Sequence, residues 1–462
     1  MGTMESLFAT TLLLVLFLFN PSKAATSPSS LIASIDCGAA KSYTDGRGIS
    51  WVSDSGLIKT GRVETIANAT SFSDSMATLR VFPTGKRNCY TISVPTGGQF
   101  VLLRASFFYG NYDGKDSPPT FDIEFDGNRW ATIQTSSDFV DIAEVIYIVS
   151  GSSIVFCVVQ TNAGELPFVS AIELRALDDN MYSRFDRTAG AMVLFLRTAA
   201  GLAQPVRYPD DPYDRIWIPY QAPESLEVVQ NQATSMLTNI TDRPPAAILQ
   251  AAVTPADGGT TIIMSAPLPS ITVQAYINLY FTEVAELSIG QKRTLQVYID
   301  NLPVSDPFVP PFGGVMEFYI ANYSASSKTQ IEVRPTTDST LPTVISALES
   351  YVIVPLSGGS AASNLPPSDT APSDLTPSDT APSDLPPTDI APSDVPPSDT
   401  EPSDSPTVVG DQTKSPPAKN TPVSIFGGGQ KGKPSLGNNV KANRFAGIGA
   451  GLVFPLLWMV VL

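Results

Sequence analysis

Two stretches of this 462-residue chain echo one another at a fixed offset, and no other feature restricts the fold as much. Phe107–Gly127 reads FFYGNYDGKDSPPTFDIEFDG, and Phe281–Asn301 reads FTEVAELSIGQKRTLQVYIDN. In each, an apolar run ends on a phenylalanine, and an alternating strand opens farther on at Phe121 or Leu295, so the copies stand 174 residues apart at both points. A second pair follows, LPFVSAIELRAL from Leu166 and LPTVISALESYVI from Leu341. Period-two alternation broken by a polar insert predicts two strands joined by a protruding loop. The expected fold is all-β, one sandwich used twice. Function is expected in the loops, because packing occupies the strand interiors.

Composition then removes whole classes of chemistry. The formal charge is −16, from 44 acidic and 28 basic residues, which argues against a nucleic-acid partner. The chain has no histidine, so Ser-His-Asp and Cys-His catalysis and histidine metal sites are excluded. Two local motifs fail on context. Gly427, Gly432 and Lys433 approach a phosphate-binding loop, but Pro434 stands where a hydroxyl must bind magnesium. Asp54-Ser55-Gly56 resembles an aspartic-protease signature without the second copy needed to share a proton. Neither an enzyme nor a cofactor or metal is expected.

Targeting signals bracket the chain. Leu7–Phe19 is an apolar run of export-signal length, followed by the small residues around Ala24, so residues 1–24 are expected to be a signal peptide. An oxidising compartment then favours one disulfide among Cys37, Cys89 and Cys157, whose pairing the sequence leaves open. Asn68, Asn239 and Asn322 each open an N-x-S/T glycosylation acceptor. At the other end, Phe445–Leu462 is an uncharged apolar run behind a polar spacer with small residues. That pattern predicts a GPI-attachment signal over residues 445–462. The alternative is a single membrane-spanning helix, which needs about twenty residues and a charged flank.

Between the signals lie a first lobe at 30–178, a connector at 179–206 expected to be partly helical, and a second lobe at 207–356. A stalk and spacer follow at 357–444, where Asp recurs every fifth position from Asp369 to Asp404 amid proline and serine. Such a segment cannot bury apolar surface and is expected to stay disordered and extended, at roughly 3.1 Å per residue.

Five motifs, in order, carry a family resemblance: IDCG at Ile35–Gly38, FPTGKRNCY at Phe82–Tyr90, RASFFYGNYDG at Arg104–Gly114, RYPDDPYDRIW at Arg207–Trp217 and LPTVISALESY at Leu341–Tyr351. Together they resemble the plant malectin-like ectodomain. The resemblance implies two tandem jelly-roll-type β-sandwiches outside the cell that sense wall glycans, secreted peptides or partner receptors. This sequence departs from the family's usual plan in showing neither a kinase nor leucine-rich repeats.

Ligand candidates sit in the first insert, where Tyr109 and Tyr112 flank Asn111 and Asp113, with Trp130 beyond. Aromatic faces beside amide and carboxylate acceptors suit a sugar. The competing reading is that the tyrosines pack the loop against the sandwich. In RYPDDPYDRIW, the acids Asp210, Asp211 and Asp214 beside Arg207 and Arg215 are expected to build an interdomain salt-bridge network rather than hold a cation, with Trp217 in the core. The expected protein is a lipid-anchored binding module on the outer face of the plasma membrane. It would recognise cell-wall carbohydrate or a secreted peptide and act as co-receptor for a receptor kinase. The alternative is a structural glycoprotein tethering membrane to wall.

Overall fold

The computed structural model describes residues 28–67, 69, 72–256 and 258–356, with the backbone of 423–424. The expectations for residues 1–24, for Asn68 and for the stalk and tail lie outside the described residues. The first half supplies β1 (Leu31–Asp36), β2 (Tyr43–Thr44), β3 (Ser50–Ser53), β4 (Arg62–Thr65), β5 (Thr78–Val81), β6 (Arg87–Ser93) and β7 (Phe100–Phe107). It continues with β8 (Thr120–Phe125), β9 (Asn128–Gln134), β10 (Asp141–Ile148), β11 (Ser153–Gln160), β12 (Phe168–Val169) and β13 (Ala171–Ala176). The second half opens with β14 (Ala191–Ala199), β15 (Ile218–Pro219), β16 (Leu226–Gln230), β17 (Ala251–Pro255), β18 (Ile262–Ser265) and β19 (Val273–Phe281). It closes with β20 (Leu295–Ile299), β21 (Leu302–Pro303), β22 (Met316–Ala325), β23 (Gln330–Pro335) and β24 (Ala347–Val354), and β25 (Val423–Ser424) pairs with β18. No α-helix occurs among the described residues.

The echo in sequence becomes an echo in topology. One small sheet has the order β6-β11-β8-β9 and its counterpart the order β18-β23-β20-β21. Strand β8 alternates, with Phe121, Ile123 and Phe125 buried and Asp122 and Glu124 turned outward, as a strand covered on one face must. Strand β20 does the same with Leu295, Val297 and Ile299. Each then turns through two residues of positive φ, Asp126-Gly127 and Asp300-Asn301. This is the turn geometry whose twist matches paired strands, and Asp, Asn and Gly adopt it with least strain.

The larger sheet has the order β2-β3-β1-β13-β7-β10-β14-β24-β19-β22 and joins both halves without a break. Strands β7 and β19, each with a paired neighbour on both sides, are covered on both faces, hence the near-continuous apolar runs VLLRASF and YINLYF. On one face, Val101, Leu103 and Phe107 pack with β8 in the first core, and Ile277, Leu279 and Phe281 pack with β20 in the second. A fully buried Leu or Phe contributes about 1.5–3 kcal/mol, so these two cores dominate the stability of the body. The opposite face, with Phe100, Leu102, Tyr276 and Tyr351, lies under Met181, Tyr182, Phe185 and Tyr213.

The connector corrects one expectation. Instead of a helix it holds the nine-residue strand β14, which pairs with β10 on one side and β24 on the other. The run AMVLFLRTA is apolar without a clear period, and two open strand edges decide its conformation.

Polar groups pin the first sandwich internally. Cys89 and Cys157 stand opposite one another on β6 and β11 and form the disulfide, leaving Cys37 free and buried. Asp54, the residue of the protease-like motif, accepts two bonds from Arg80 at 2.5 and 2.8 Å and one from the Tyr90 hydroxyl at 2.9 Å. It is a buried anchor for β5 and β6.

Candidate functional site

Charged residues placed inside apolar strands find each other across the large sheet. Glu173 on β13 lies opposite Arg104 on β7, and Arg104 lies opposite Glu144 on β10. Arg197 on β14 lies opposite Glu349 on β24, and Glu349 lies opposite Asn278 on β19. Arg104 donates to Glu144 at 2.9 and 3.1 Å and also to Glu173. Arg197 donates to Glu144 and to Glu349, each at 2.6 Å. Charge thus alternates strand by strand through a row with almost no solvent contact.

The RYPDDPYDRIW segment caps this row and forms the expected salt-bridge network. Asp214 accepts from Arg207 at 2.7 and 2.8 Å and from Arg175 at 2.8 and 3.1 Å. Asp211 accepts from Arg215 at 2.8 Å and from the Trp217 indole at 2.9 Å, and Trp217 is fully buried. Asp210 is exposed and takes no part. Burial pushes the carboxyls of Glu144, Glu173 and Asp214 up, but the surrounding guanidiniums outweigh it and hold all three below the usual carboxylate range. These acids are therefore ionised and already paired, unlike a catalytic couple in which one carboxyl must keep a proton near neutrality.

The aromatic loop shows how the sugar-site candidates are placed. Tyr109 is 0% exposed, and its ring packs on Phe168 and edge-on to Tyr112 at 5.4 Å. Its hydroxyl donates to Asp113 at 2.5 Å and accepts from Ser117 N–H at 3.3 Å. Asn111 donates to Asp116 and accepts from the Asp116 N–H at 3.0 Å. Asp113 also pairs with Lys115 at 3.2 Å. The structure brings the four residues together, with their polar groups bonded within the loop. Tyr112, half-buried, keeps part of its surface toward solvent. Trp130 lies in the core between Phe125 and Phe156. In the second sandwich, position 283 replaces Tyr109 with Glu283, buried and paired with Arg293 at 2.8 Å. The stem of that loop is closed by an ion pair rather than by rings.

Two further groups stand out in the structure, and only the first is marked in the sequence. Arg104, Glu144, Glu173 and Glu349 each interrupt an apolar strand at an inward position, and a charge there needs a partner. Asp242 and Glu317, which floor a cleft in the second sandwich, sit in a loop and at a strand start with no local pattern to mark them.

Comparison with known proteins agrees with this architecture. Residues 35–353 match the malectin-like domain. An Arabidopsis thaliana relative named "Uncharacterized protein At1g24485" is 38% identical over 335 residues, which is 72% of this chain and 66% of that protein. The Arabidopsis protein named "Probable LRR receptor-like serine/threonine-protein kinase At1g05700" is 34% identical over 69% of this chain, but the match spans 38% of its length. Among solved structures, the ANXUR1 extracellular domain of Arabidopsis thaliana aligns over 70% of this chain and 96% of its own, with a TM-score of 0.56 and 16% identity. A structure titled as the plant peptide RALF23 in complex with FER and LLG2 aligns over 71% and 96%, with a TM-score of 0.55 and 17% identity. By the extent of the sequence match, this chain belongs to the malectin-like family.

Proposed function

We propose that the protein is a cell-surface binding module that recognises a secreted peptide or a wall carbohydrate and acts as co-receptor for a receptor kinase. The observation that carries this reading is the shared body: residues 35–353 match the malectin-like domain, and 69% of the chain aligns with a protein named as a probable receptor-like kinase. The internal chemistry is consistent with binding rather than turnover, because Glu144, Glu173 and Asp214 are ionised and held by arginines. A peptide ligand draws support from the neighbour whose title names a peptide complex. A carbohydrate ligand draws support from Tyr112, the one ring of the aromatic loop with surface left to offer.

The anchor is part of the same reading. The composition of residues 445–462 favours lipid attachment, and that of 357–444 favours an extended stalk. Release of the full chain from intact cells by a phosphatidylinositol-specific phospholipase tests the anchor, and retention on the cells would favour a spanning helix. Ligand-dependent co-precipitation with a receptor kinase tests the co-receptor role. Retention in a wall extract without any kinase partner would move the reading to a structural tether.

A further inference from the structure

The two halves of the large sheet end differently, and the difference marks a site. Strands β13, β7 and β10 of the first half correspond to β24, β19 and β22 of the second, in the same order across the sheet. The outer edge of β10 is filled by β14, through Val145 opposite Val193 and Ile146 opposite Met192. The added strand brings Arg197, which satisfies Glu144 on β10. Its counterpart β22 ends the sheet, and among the described residues no strand pairs with its outer edge.

Strand β22 also carries an acid whose bonded partner is another acid. Glu317 lies opposite Tyr280 and is hydrogen-bonded to Asp242, and among the described residues no salt bridge joins either acid to a basic side chain. Asp242 is itself fixed by the Tyr182 N–H and the Asn278 amide, each at 2.5 Å. The pair floors a cleft of about 450 Å³ whose walls include Ile240, Thr241, Val309 and Met316. Val309 on that wall is 55% exposed, and Phe312, next to the lining residue Pro311, and Leu237, bridged to Gly314 next to the lining residue Val315, are 42% and 75% exposed, an apolar rim of the kind that marks an interaction surface.

We propose that this cleft receives the lysine or arginine of an extended, basic peptide, which lies along the free edge of β22 as β14 lies along β10 and rests its apolar neighbours on Leu237, Val309 and Phe312. The proposal rests on the reading of the protein as a binding module and names the chemistry of one ligand. Strand addition supplies main-chain bonds, and the cleft supplies selectivity. The chain's charge of −16 favours approach of a cationic partner. Two acids are too few for a metal cage, and groups of three or more are absent among the described residues.

A proton moves with the ligand. Burial, then the hydrogen bond and charge of Asp242 and the charge of Glu349, push the Glu317 carboxyl up to about 10, so the empty cleft holds it protonated. The phenols of Tyr276, Tyr280 and Tyr182 lie nearby, Arg215 donates to the Asp242 carbonyl, and the Arg184 guanidinium sits on the rim over the Tyr319 ring at 5.0 Å. When an ammonium or guanidinium enters, Glu317 ionises, its proton passes to solvent, and the new ion pair replaces the shared proton.

The test uses the full chain and a capped peptide, Ala-Leu-Arg-Phe-Ala, against the same peptide with glutamate at its centre. Isothermal titration at constant ionic strength is expected to show binding of the arginine peptide only, tightening up to about a hundredfold from pH 5.5 to 7.5 as one proton is released. Glu317→Gln, which preserves the neutral hydrogen bond, is expected to bind weakly and without pH dependence. Ser183→Lys, an exposed rim change that places an ammonium in the cleft, is expected to abolish binding. Equal binding of the two peptides, no binding by the native chain, or indifference to both variants would overturn the site, as would calcium binding that both variants lose. Kinase association read on the same proteins separates the two claims. If it survives in both variants, the cleft is not the co-receptor's ligand site while the co-receptor reading stands; if the native chain shows none, that reading fails while the titration still decides the cleft.

Discussion

Arg197 on β14 and Glu144 on β10 meet at 2.6 Å, and at this bond the charge row crosses from one sandwich to the other. Both side chains are buried, and Arg197 turns to Glu349 at the same distance on its other side. One Nη of Arg197 has no acceptor, but the guanidinium lies 5.7 Å from the Trp217 ring and 6.0 Å from the Tyr351 ring. The row therefore specifies how β14 sits between the two lobes more than it adds net stability, since desolvation offsets much of the attraction in a buried pair.

Removing one member should cost more than the row is worth. Arg197→Met leaves Glu144 and Glu349 short of a cation, and chemical denaturation is expected to show a loss of about 3–5 kcal/mol. Adding Glu349→Gln to that variant removes one of the stranded charges and should recover part of the loss. A loss below about 1 kcal/mol in the single variant would mean the row is hydrated.

Stability should peak in acid. Arginines lower the carboxyls of Glu144, Glu173 and Asp214, so their contribution is complete above the unfolded value near about 4 and disappears as pH falls through the folded values. Burial raises Asp36 to about 6 against the bonds from Tyr43 and Thr78, and raises Asp141 to about 7. The contribution of these two is complete below about 4 and is lost as pH rises through 6 and 7. Thermal melts should show a maximum near pH 4–5 and a decline to pH 7, which Asp141→Asn should reduce. A native curve flat from pH 5 to 8 would contradict the assignment.

The aromatic loop can be separated into packing and exposed parts. Tyr109→Ala empties a fully buried site and should destabilise the chain by on the order of 3–5 kcal/mol, whereas Tyr112→Ala should cost much less. Glycan-array binding is therefore read on Tyr112→Ala, where lost binding would support sugar contact and unchanged binding would remove the loop from the proposal.

The cysteines should behave as one bond and one inert thiol. Burial and then the Asp54 charge push the Cys37 thiol well up, so a thiol reagent should find no reactive group in the native chain and one after unfolding without reductant. Replacing Cys89 and Cys157 with serine should cost about 2–5 kcal/mol, since the bridge closes a long loop, its ends separated by 68 in sequence.

Much of the fold was legible because packing writes a period into the chain. The alternation in FDIEFDG and LQVYIDN gave the outer strands. The run AMVLFLRTA had no such period, and only the open edges of β10 and β24 made it a strand. The site was less legible. Asp211 and Asp214 could be read from RYPDDPYDRIW, where opposite charges crowd one segment, but the partners Arg104, Arg175 and Glu173 come from distant strands. Tyr109 and Trp130 looked like ligand aromatics because sequence cannot tell a ring facing solvent from one facing Phe168 or Phe156. The Asp242–Glu317 pair joins residues whose proximity arises only when the sheet is assembled.

Hydrogen exchange across the junction tests most directly the claim that both sandwiches share one sheet. Backbone amides of Val145, Ile146, Met192 and Val193 are expected to exchange as slowly as those of β7 and β19, and Arg197→Met is expected to speed the junction most. Fast exchange at β14 in the native chain, with β7 and β19 still protected, would show two lobes joined by a loose connector and would contradict the account.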